Sequence, residues 1–428
     1  MKQKYHLFIL LLTILFSACK VQNKTSVGNE ALATQKLEKK DESLFISSMK
    51  THYIIRDSTQ VDVYVEAEIE NLGSNGVNSL EELNKKLKSN WILQPSTGIK
   101  EKLEAGRIEF EKAEAELDEK YLTFHFTIPR LRNHPDANLA LEFIDLAASR
   151  KFTNDLFIDF NSKRPNHLFG VFINGNTFPS FDSYFQVGHE IVFKSSDGLP
   201  HQLTMKRYKA EAPAALSPMS TSKRNELGSY EEMESIDFTA GEKITLAQEG
   251  TYVVFLKDEM VVNGYGFLVT DDRFPRLTMP EELSEPLVYM STNDEIASLK
   301  AAQEFKKALD LYFLTMTSGN QTLAKSIIKS YYRRVEKANQ LFTSYKEGWK
   351  TDKGMIYLIL GPPSRIQRNG SREVWLYAQS ANFSEIIFTF YRKPNQFSED
   401  HYELVRYPEY GAYWYPFVEA WRTGSVLE

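Results

Sequence analysis

The stretch GWKTDKGMIYLILGPP, residues 348–363, sets a glycine-framed tryptophan and a charged segment ahead of the apolar run Met355–Leu360. Gly348 suits the left-handed residue that closes a helix. Thr351 and Asp352 carry side chains that bond nearby backbone amides, and Gly354 accepts a positive φ, so the segment is expected to be a tight turn. That turn is expected to launch a strand from Met355 to Leu360. Gly361-Pro362-Pro363 would end it, because proline donates no ladder hydrogen bond. Trp349 is then expected to fold back as a wedge.

What lies upstream says what the wedge meets. Ile296, Leu299, Ala302, Phe305, Leu309, Phe313 and Met316 fall three or four apart behind a cap-like Ser291-Thr292-Asn293-Asp294, the pattern of an amphipathic helix. Ser318-Gly319-Asn320 breaks it, and a second stripe follows through Leu323, Ile327, Tyr331, Val335, Ala338 and Phe342. The pair predicts an antiparallel helical hairpin, with Arg333 and Arg334 facing water. Downstream, Asn369-Gly370 predicts a hairpin returning through Val374–Tyr377, and two further strands are expected over Glu385–Tyr391 and Tyr402–Tyr407. Residues 291–428 are therefore expected to form an α+β domain, a helical hairpin plus a small antiparallel sheet.

The preceding chain has a period of two. In Val61–Ile69 the odd positions are apolar and the even ones mostly charged, and Leu122–Ile128 and Leu139–Phe143 repeat the pattern. These are half-buried strands, and 45–162 is expected to be an antiparallel β-sandwich-like domain; its charged interlude 99–120 is open between a long hairpin and a helix. A second β-rich domain is expected over 163–275, with a hairpin across Thr251–Thr270. Its segment 209–240, rich in Ala, Pro, Ser and Glu, is expected to be a mobile surface loop. Prolines 275, 280 and 286 mark an expected linker, 276–290. The fold class that follows is multidomain: two antiparallel β-sandwich-like domains followed by the α+β domain.

The N-terminus reads differently. Lys2 and Lys4 precede an apolar run, Leu7–Phe16, too short to span a membrane, and then Ser17-Ala18-Cys19; this is an export signal. Leu15-Phe16-Ser17-Ala18-Cys19 resembles a bacterial lipobox, which implies a signal peptide over 1–18 and makes the chain's sole cysteine, Cys19, a lipidated N-terminus carrying palmitate-type acyl chains. The polar, charged segment 19–44 buries too little to order itself and is expected to be a tether. With a formal charge of −6 and no dominant basic run, the chain offers nucleic acid no electrostatic footprint; the membrane is reached through the lipid anchor.

Catalytic and metal patterns are missing. The eight histidines form no ligand pair of recognisable spacing, and neither a Gly-x-Ser-x-Gly elbow nor a phosphate loop occurs, so no catalytic residue, metal or cofactor is assigned. Asp352 is expected to staple backbone, because a general acid or base needs a positioned partner. Four of the five tryptophans lie in the last eighty residues. Tyr410, Tyr413, Trp414, Tyr415, Phe417 and Trp421, on an irregular tail, are candidates for partner binding, with packing onto their own domain as the favoured alternative.

Gly348, Trp349, Thr351, Asp352 and Gly354, with Gly361 and Pro362, resemble the signature of the GWxTD-domain proteins, a family of Bacteroidota envelope lipoproteins. The resemblance covers roughly the last third of the chain and brings no settled activity. A lesser similarity, in Leu360-Gly361-Pro362 before Val374–Tyr377, is to small α+β lipoproteins of outer-membrane protein assembly. Together they imply a non-enzymatic outer-membrane lipoprotein whose partners are other envelope proteins. The acidic cluster that follows the cysteine in surface-exported lipoproteins of that phylum does not occur in Lys20–Thr25, which implies the periplasmic face. The alternative is a glycan-binding or glycan-hydrolysing protein using the aromatic tail as a platform and Asp352 or Glu385 as acids.

Overall fold

In the computed structural model the alternating segments are strands. The first module contains β1 (Phe45–Ile55), β2 (Gln60–Glu70), a short helix α1 (Leu80–Lys86), then β3 (Leu87–Gln94), β4 (Glu104–Ile108), β5 (Glu114–Asp118), β6 (Tyr121–Pro129), β7 (Asp136–Asp145) and β8 (Arg150–Asp159). They form two antiparallel sheets of order β1-β2-β6-β5 and β4-β3-β7-β8. Val61, Val63, Val65, Ala67 and Ile69 of β2 face Leu139, Leu141 and Phe143 of β7 in one core. Each such side chain, fully buried, contributes about 1.5–3 kcal/mol. The charged interlude is neither a hairpin nor a helix: β4 and β5 belong to opposite sheets, and Phe110 between them plugs the core. The structure describes residues 43–96, 101–222, 229–257, 264–369, 371–378 and 385–426. The signal peptide, Cys19 and nearly all of the expected tether lie outside them.

The second module begins with α2 (Pro165–Leu168) and contains β9 (Phe169–Ile173), β10 (Tyr184–Gln186), β11 (Glu190–Ser195), β12 (Gln202–Glu211), β13 (Ser229–Thr239), β14 (Lys243–Thr245), β15 (Gly250–Leu256) and β16 (Tyr265–Thr270). Sheets of order β10-β16-β15-β12-β13 and β14-β11-β9 share one core. One pair, β10 with β16, is parallel. Of the segment 209–240, expected to be a mobile loop, the described residues are strand at both ends. Its flanks are the long arms of the β12–β13 hairpin, and the described part beyond β12 docks on the third module. The Ala215 amide donates to the Tyr289 hydroxyl at 3.0 Å, and the Tyr407 amide to the Pro218 carbonyl at 3.2 Å.

The third module holds α3 (Pro280–Ser284), α4 (Asn293–Lys300), α5 (Phe305–Met316), α6 (Gln321–Phe342), α7 (Asp352–Leu360), the sheet β17 (Arg365–Asn369), β18 (Arg372–Tyr377), β19 (Ile386–Arg392), β20 (Tyr402–Leu404), and α8 (Gly411–Arg422). Four expectations change here. The linker 276–290 is structured: Pro280 opens α3 and Pro286 a 3₁₀ turn, each where a missing N–H costs nothing, and Leu287 and Tyr289 are buried. The first helix of the hairpin is two, α4 and α5, broken at Ala301–Glu304; the break brings Leu299, Leu309 and Phe313 into one core. Met355–Leu360 is helix, not strand. An apolar run without period fits either, and this one is buried nearly all round, as a core helix is. The aromatic tail is also helix, a 3₁₀ turn over Pro408–Tyr410 running into α8.

Candidate functional site

The signature forms a corner at which three backbones touch. After α6 the chain makes a 3₁₀ turn over Gly348–Lys350 and enters α7. A Cβ on Gly348 would lie 2.1 Å from the Ala338 carbonyl oxygen of α6, and one on Gly354 would lie 1.9 Å from the Gly348 carbonyl oxygen. Gly348 is thus required for close approach and not, as expected, for a left-handed closing φ. Thr351 caps α7 instead of forming a tight turn: its hydroxyl accepts from the Gly354 amide at 2.9 Å and donates to the Gly348 carbonyl at 2.7 Å, the usual N-cap arrangement. Gly361 ends α7 at φ +81° and ψ −164°, a conformation open essentially to glycine alone; Pro362 follows, exposed.

Trp349 is 2% exposed. Its amide donates to Asn339 Oδ1 at 3.2 Å, its indole N–H to Glu347 Oε2, and its carbonyl accepts from the Tyr289 hydroxyl at 3.1 Å. Since Tyr289 also holds Ala215, the tryptophan clips the docked segment of the second module. Asp352 clips it too. One oxygen accepts from the Leu404 amide of β20 at 2.6 Å; the other pairs with Arg406 at 2.5 Å, and Arg406 donates to the Leu216 carbonyl at 3.2 Å. Asp352 is a staple, as expected, but between a helix N-terminus and a strand. Asp352→Asn is expected to cost about 2–4 kcal/mol, because it leaves the Arg406 guanidinium buried without its carboxylate; denaturation followed by tryptophan fluorescence measures it.

Next to the corner lies a polar cleft of about 790 Å³ between the three modules. On its floor Glu373, 3% exposed, accepts from Trp375 Nε1 (2.6 Å), Lys353 Nζ (3.0 Å) and Arg368 Nε (3.1 Å). Burial raises this carboxyl, but Lys353 and Arg368 outweigh it and hold it at about 2. Burial also lowers the Lys353 ammonium, which sits 3.5 Å above the centre of the Tyr402 ring. On the far wall Glu399 pairs with His167 Nε2 at 2.7 Å and Arg392 at 2.7 Å, while His167 Nδ1 meets the Tyr53 and Ser162 hydroxyls. Burial again opposes, and His167 and Arg392 hold Glu399 at about 2. Arg392 lies over the Phe157 ring, and Lys337 reaches Glu68 at 3.5 Å. These contacts tie the helical module to the first sandwich across the cleft. Of the two acids named for the glycan alternative, Asp352 lines the cleft with both oxygens bonded, and Glu385 does not line it.

Residues 250–423 match the family model of the GWxTD domain. The chain carries a GWxTD domain. The match begins at β15, so it takes in two strands of the second module's sheet as well as the helical module. No curated protein matches the chain. Among solved structures it is similar to Tp47, the 47-kilodalton lipoprotein of Treponema pallidum, at 9% identity and TM-score 0.22, over 54% of this chain and 51% of that one. It therefore spans about half of that lipoprotein's length. Escherichia coli alpha-2-macroglobulin activated by porcine elastase is similar at 10% identity and TM-score 0.20, over 53% and 20% of the two chains. The Dpr2 Ig1-Ig2 complex with DIP-Theta Ig1-Ig3 follows at 13% identity and TM-score 0.18, over 54% and 100%. Scores this low carry no argument.

The aromatic tail of the GWxTD domain divides. Tyr410, Trp414 and Trp421 are buried, Tyr413 and Phe417 pack partly against the core, and Tyr415 is 63% exposed. Trp421 donates to the Ile359 carbonyl at 3.1 Å and stands edge-on to Tyr331. Trp421→Ala is expected to cost about 3–5 kcal/mol, and Tyr415→Ala to stay within about 0.5 kcal/mol, in parallel thermal melts. Tyr415 is then the partner candidate whose loss is expected to cost the fold least.

Sequence reasoning missed Asn339, Glu373, Arg406 and Arg334. Arg334 is buried, not solvated: its guanidinium lies 3.3 Å from the Ile359 carbonyl at the C-terminal end of α7 and above the Trp421 ring. Its spacing was the available signal, three residues after Tyr331 and four before Ala338, on the apolar stripe. Asn339, fully buried, binds both the Trp349 amide and the Pro275 carbonyl.

Proposed function

We propose that this protein is a non-catalytic lipoprotein of a Bacteroidota outer membrane, anchored through Cys19, that faces the periplasm and holds other envelope proteins. The supporting observation is the use of the signature. Both oxygens of Asp352, the Thr351 hydroxyl and the polar groups of Trp349 bond within the fold, so the motif builds a joint between modules and leaves no acid free for chemistry. A joint of that kind suits a rigid multi-module scaffold, and the lipobox-like Cys19 supplies its address. Cys19→Ala is expected to abolish labelling by radioactive palmitate and to release the chain from the membrane fraction. In wild-type membranes, crosslinking followed by mass identification is expected to recover envelope proteins joined to the GWxTD domain. Palmitate labelling that survives Cys19→Ala would sink the anchor, and an uncrosslinked monomer in intact membranes the scaffold.

A further inference from the structure

The cleft lies along strand edges. Consecutive residues of β1, Phe45 to Tyr53, and of β8, Lys151 to Phe157, all line it. Successive side chains of a strand point to opposite faces, so a cavity lying on a face is lined by alternate residues; one lined by every residue lies on the edge. Sheet order agrees, with β1 and β8 each at the end of its sheet. Among the described residues no strand or other backbone bonds to the outer edge of β1 over Phe45–Thr51 or of β8 over Lys151–Phe157. Such an edge presents unused N–H and C=O groups, which proteins ordinarily cover. Here the GWxTD domain lines the cleft opposite them, and among the described residues its backbone makes no bond to them.

Charge says which strand. Lys50, Lys151, Lys337, Lys353, Arg368 and Arg392 line the cleft and are each paired with a carboxylate of this chain, Lys346 lies against the Tyr345 ring, and Arg365 is exposed at the start of β17. Asp155, on the outer face of β8, and Asp400 opposite have no hydrogen bond or ion pair from their carboxylates to a described residue. Asp155 is half-buried, and burial holds its carboxyl above the ordinary range, with Arg368 partly offsetting. Thr153 and Phe157 flank it on the same face.

We infer that the edge of β8 accepts one extended segment of a partner polypeptide as an added strand, with a lysine or arginine of that segment placed against Asp155. Backbone bonds to β8 would supply affinity, and Asp155, with the exposed Thr153 two residues before it on the same face, would select alternate side chains. This rests on the protein-binding role proposed above and specifies its site.

The probe is a fluorescent, end-capped octapeptide of alternating valine and lysine, titrated against the full-length protein. Two further versions carry N-methyl groups on alternate amides, one for each edge of the peptide. The expected result is saturable binding below about 1 mM and a loss of about tenfold or more for one N-methylated version only, because only the edge facing β8 donates. Hydrogen exchange is expected to slow in 151–157. Asp155→Asn, which loses no partner and should melt as wild type, is expected to weaken the lysine peptide severalfold while leaving a valine–serine peptide unchanged. No saturation up to about 1 mM, equal binding of both N-methylated versions, or protection on β1 alone would overturn the assignment. None of those results would touch palmitate labelling or membrane crosslinking, so this inference and the anchored-scaffold reading fail separately.

Discussion

Replacing Gly354 with alanine is expected to unfold the GWxTD domain. The added Cβ would lie 1.9 Å from the Gly348 carbonyl oxygen and 3.0 Å from the Trp349 Cα, both backbone atoms that no rotamer change can move aside. Relief requires α7 to move away from the 3₁₀ turn. That motion breaks the Thr351 cap, the Asp352 bond to β20 and the packing of Met355 and Ile356, which are fully buried. Overpacking a core commonly costs about 1–3 kcal/mol where side chains can yield; here backbone and several bonds are lost together, and about 4 kcal/mol or more is expected. Gly348→Ala should behave alike, since its Cβ meets the Ala338 carbonyl at 2.1 Å, whereas Gly73→Ala, with no atom within 4 Å, should be close to neutral. Urea titration of the three variants by tryptophan fluorescence and circular dichroism tests this; a Gly354→Ala midpoint equal to wild type would refute the stacked corner.

Glu373→Gln is expected to cost about 3–5 kcal/mol, the usual result of removing one partner from a buried ionic cluster. Two cations, Lys353 and Arg368, share the carboxylate, and glutamine leaves the largely buried Lys353 and the half-buried Arg368 beside a neutral group. The same carboxylate makes stability depend on pH. It titrates at about 2 in the folded protein against an ordinary 4.5, so between those values the unfolded chain binds the proton and the folded one does not. The contribution is therefore fully present above pH about 4.5 and lost as pH falls towards about 2, on the order of 3 kcal/mol in total. Glu399 acts with the same sign over the same window, so the variant should show a shallower acid loss, not a flat one. Unfolding midpoints at pH 7, 4.5 and 3 decide: equal slopes in wild type and variant would remove Glu373 from the account.

Much of this molecule was legible from its sequence because local pattern and burial coincide there. The alternation in Val61–Ile69 needs one buried face, and a sandwich provides it. The stripe from Leu323 to Phe342 needs a helix with one covered side, and Asn320 caps it as a helix start should be capped. The pattern failed where burial surrounds a segment. Met355–Leu360 has no polar face to betray its period, so strand and helix looked alike until α6 on one side and β20 and α8 on others enclosed it. The tail misled for a different reason, since Pro408 and Pro416 read as breaks, yet the first opens a 3₁₀ turn and the second is tolerated inside α8.

The candidate site shows the same division. Trp349 and Asp352 were recognisable as structural residues from their types and spacing, but their partners, Tyr289, Asn339, Leu404 and Arg406, come from segments far along the chain and carry no motif. Nor does anything local say that β1 and β8 end their sheets on the same cleft, because edge status is a property of sheet order. By itself the sequence determined the periods, the caps, the signature and the lone cysteine, all of which are written in neighbouring residues. Only the tertiary structure decided which backbones touch, which charges lose water together and which strand edges stay unpaired, since each of those depends on atoms brought together from distant positions.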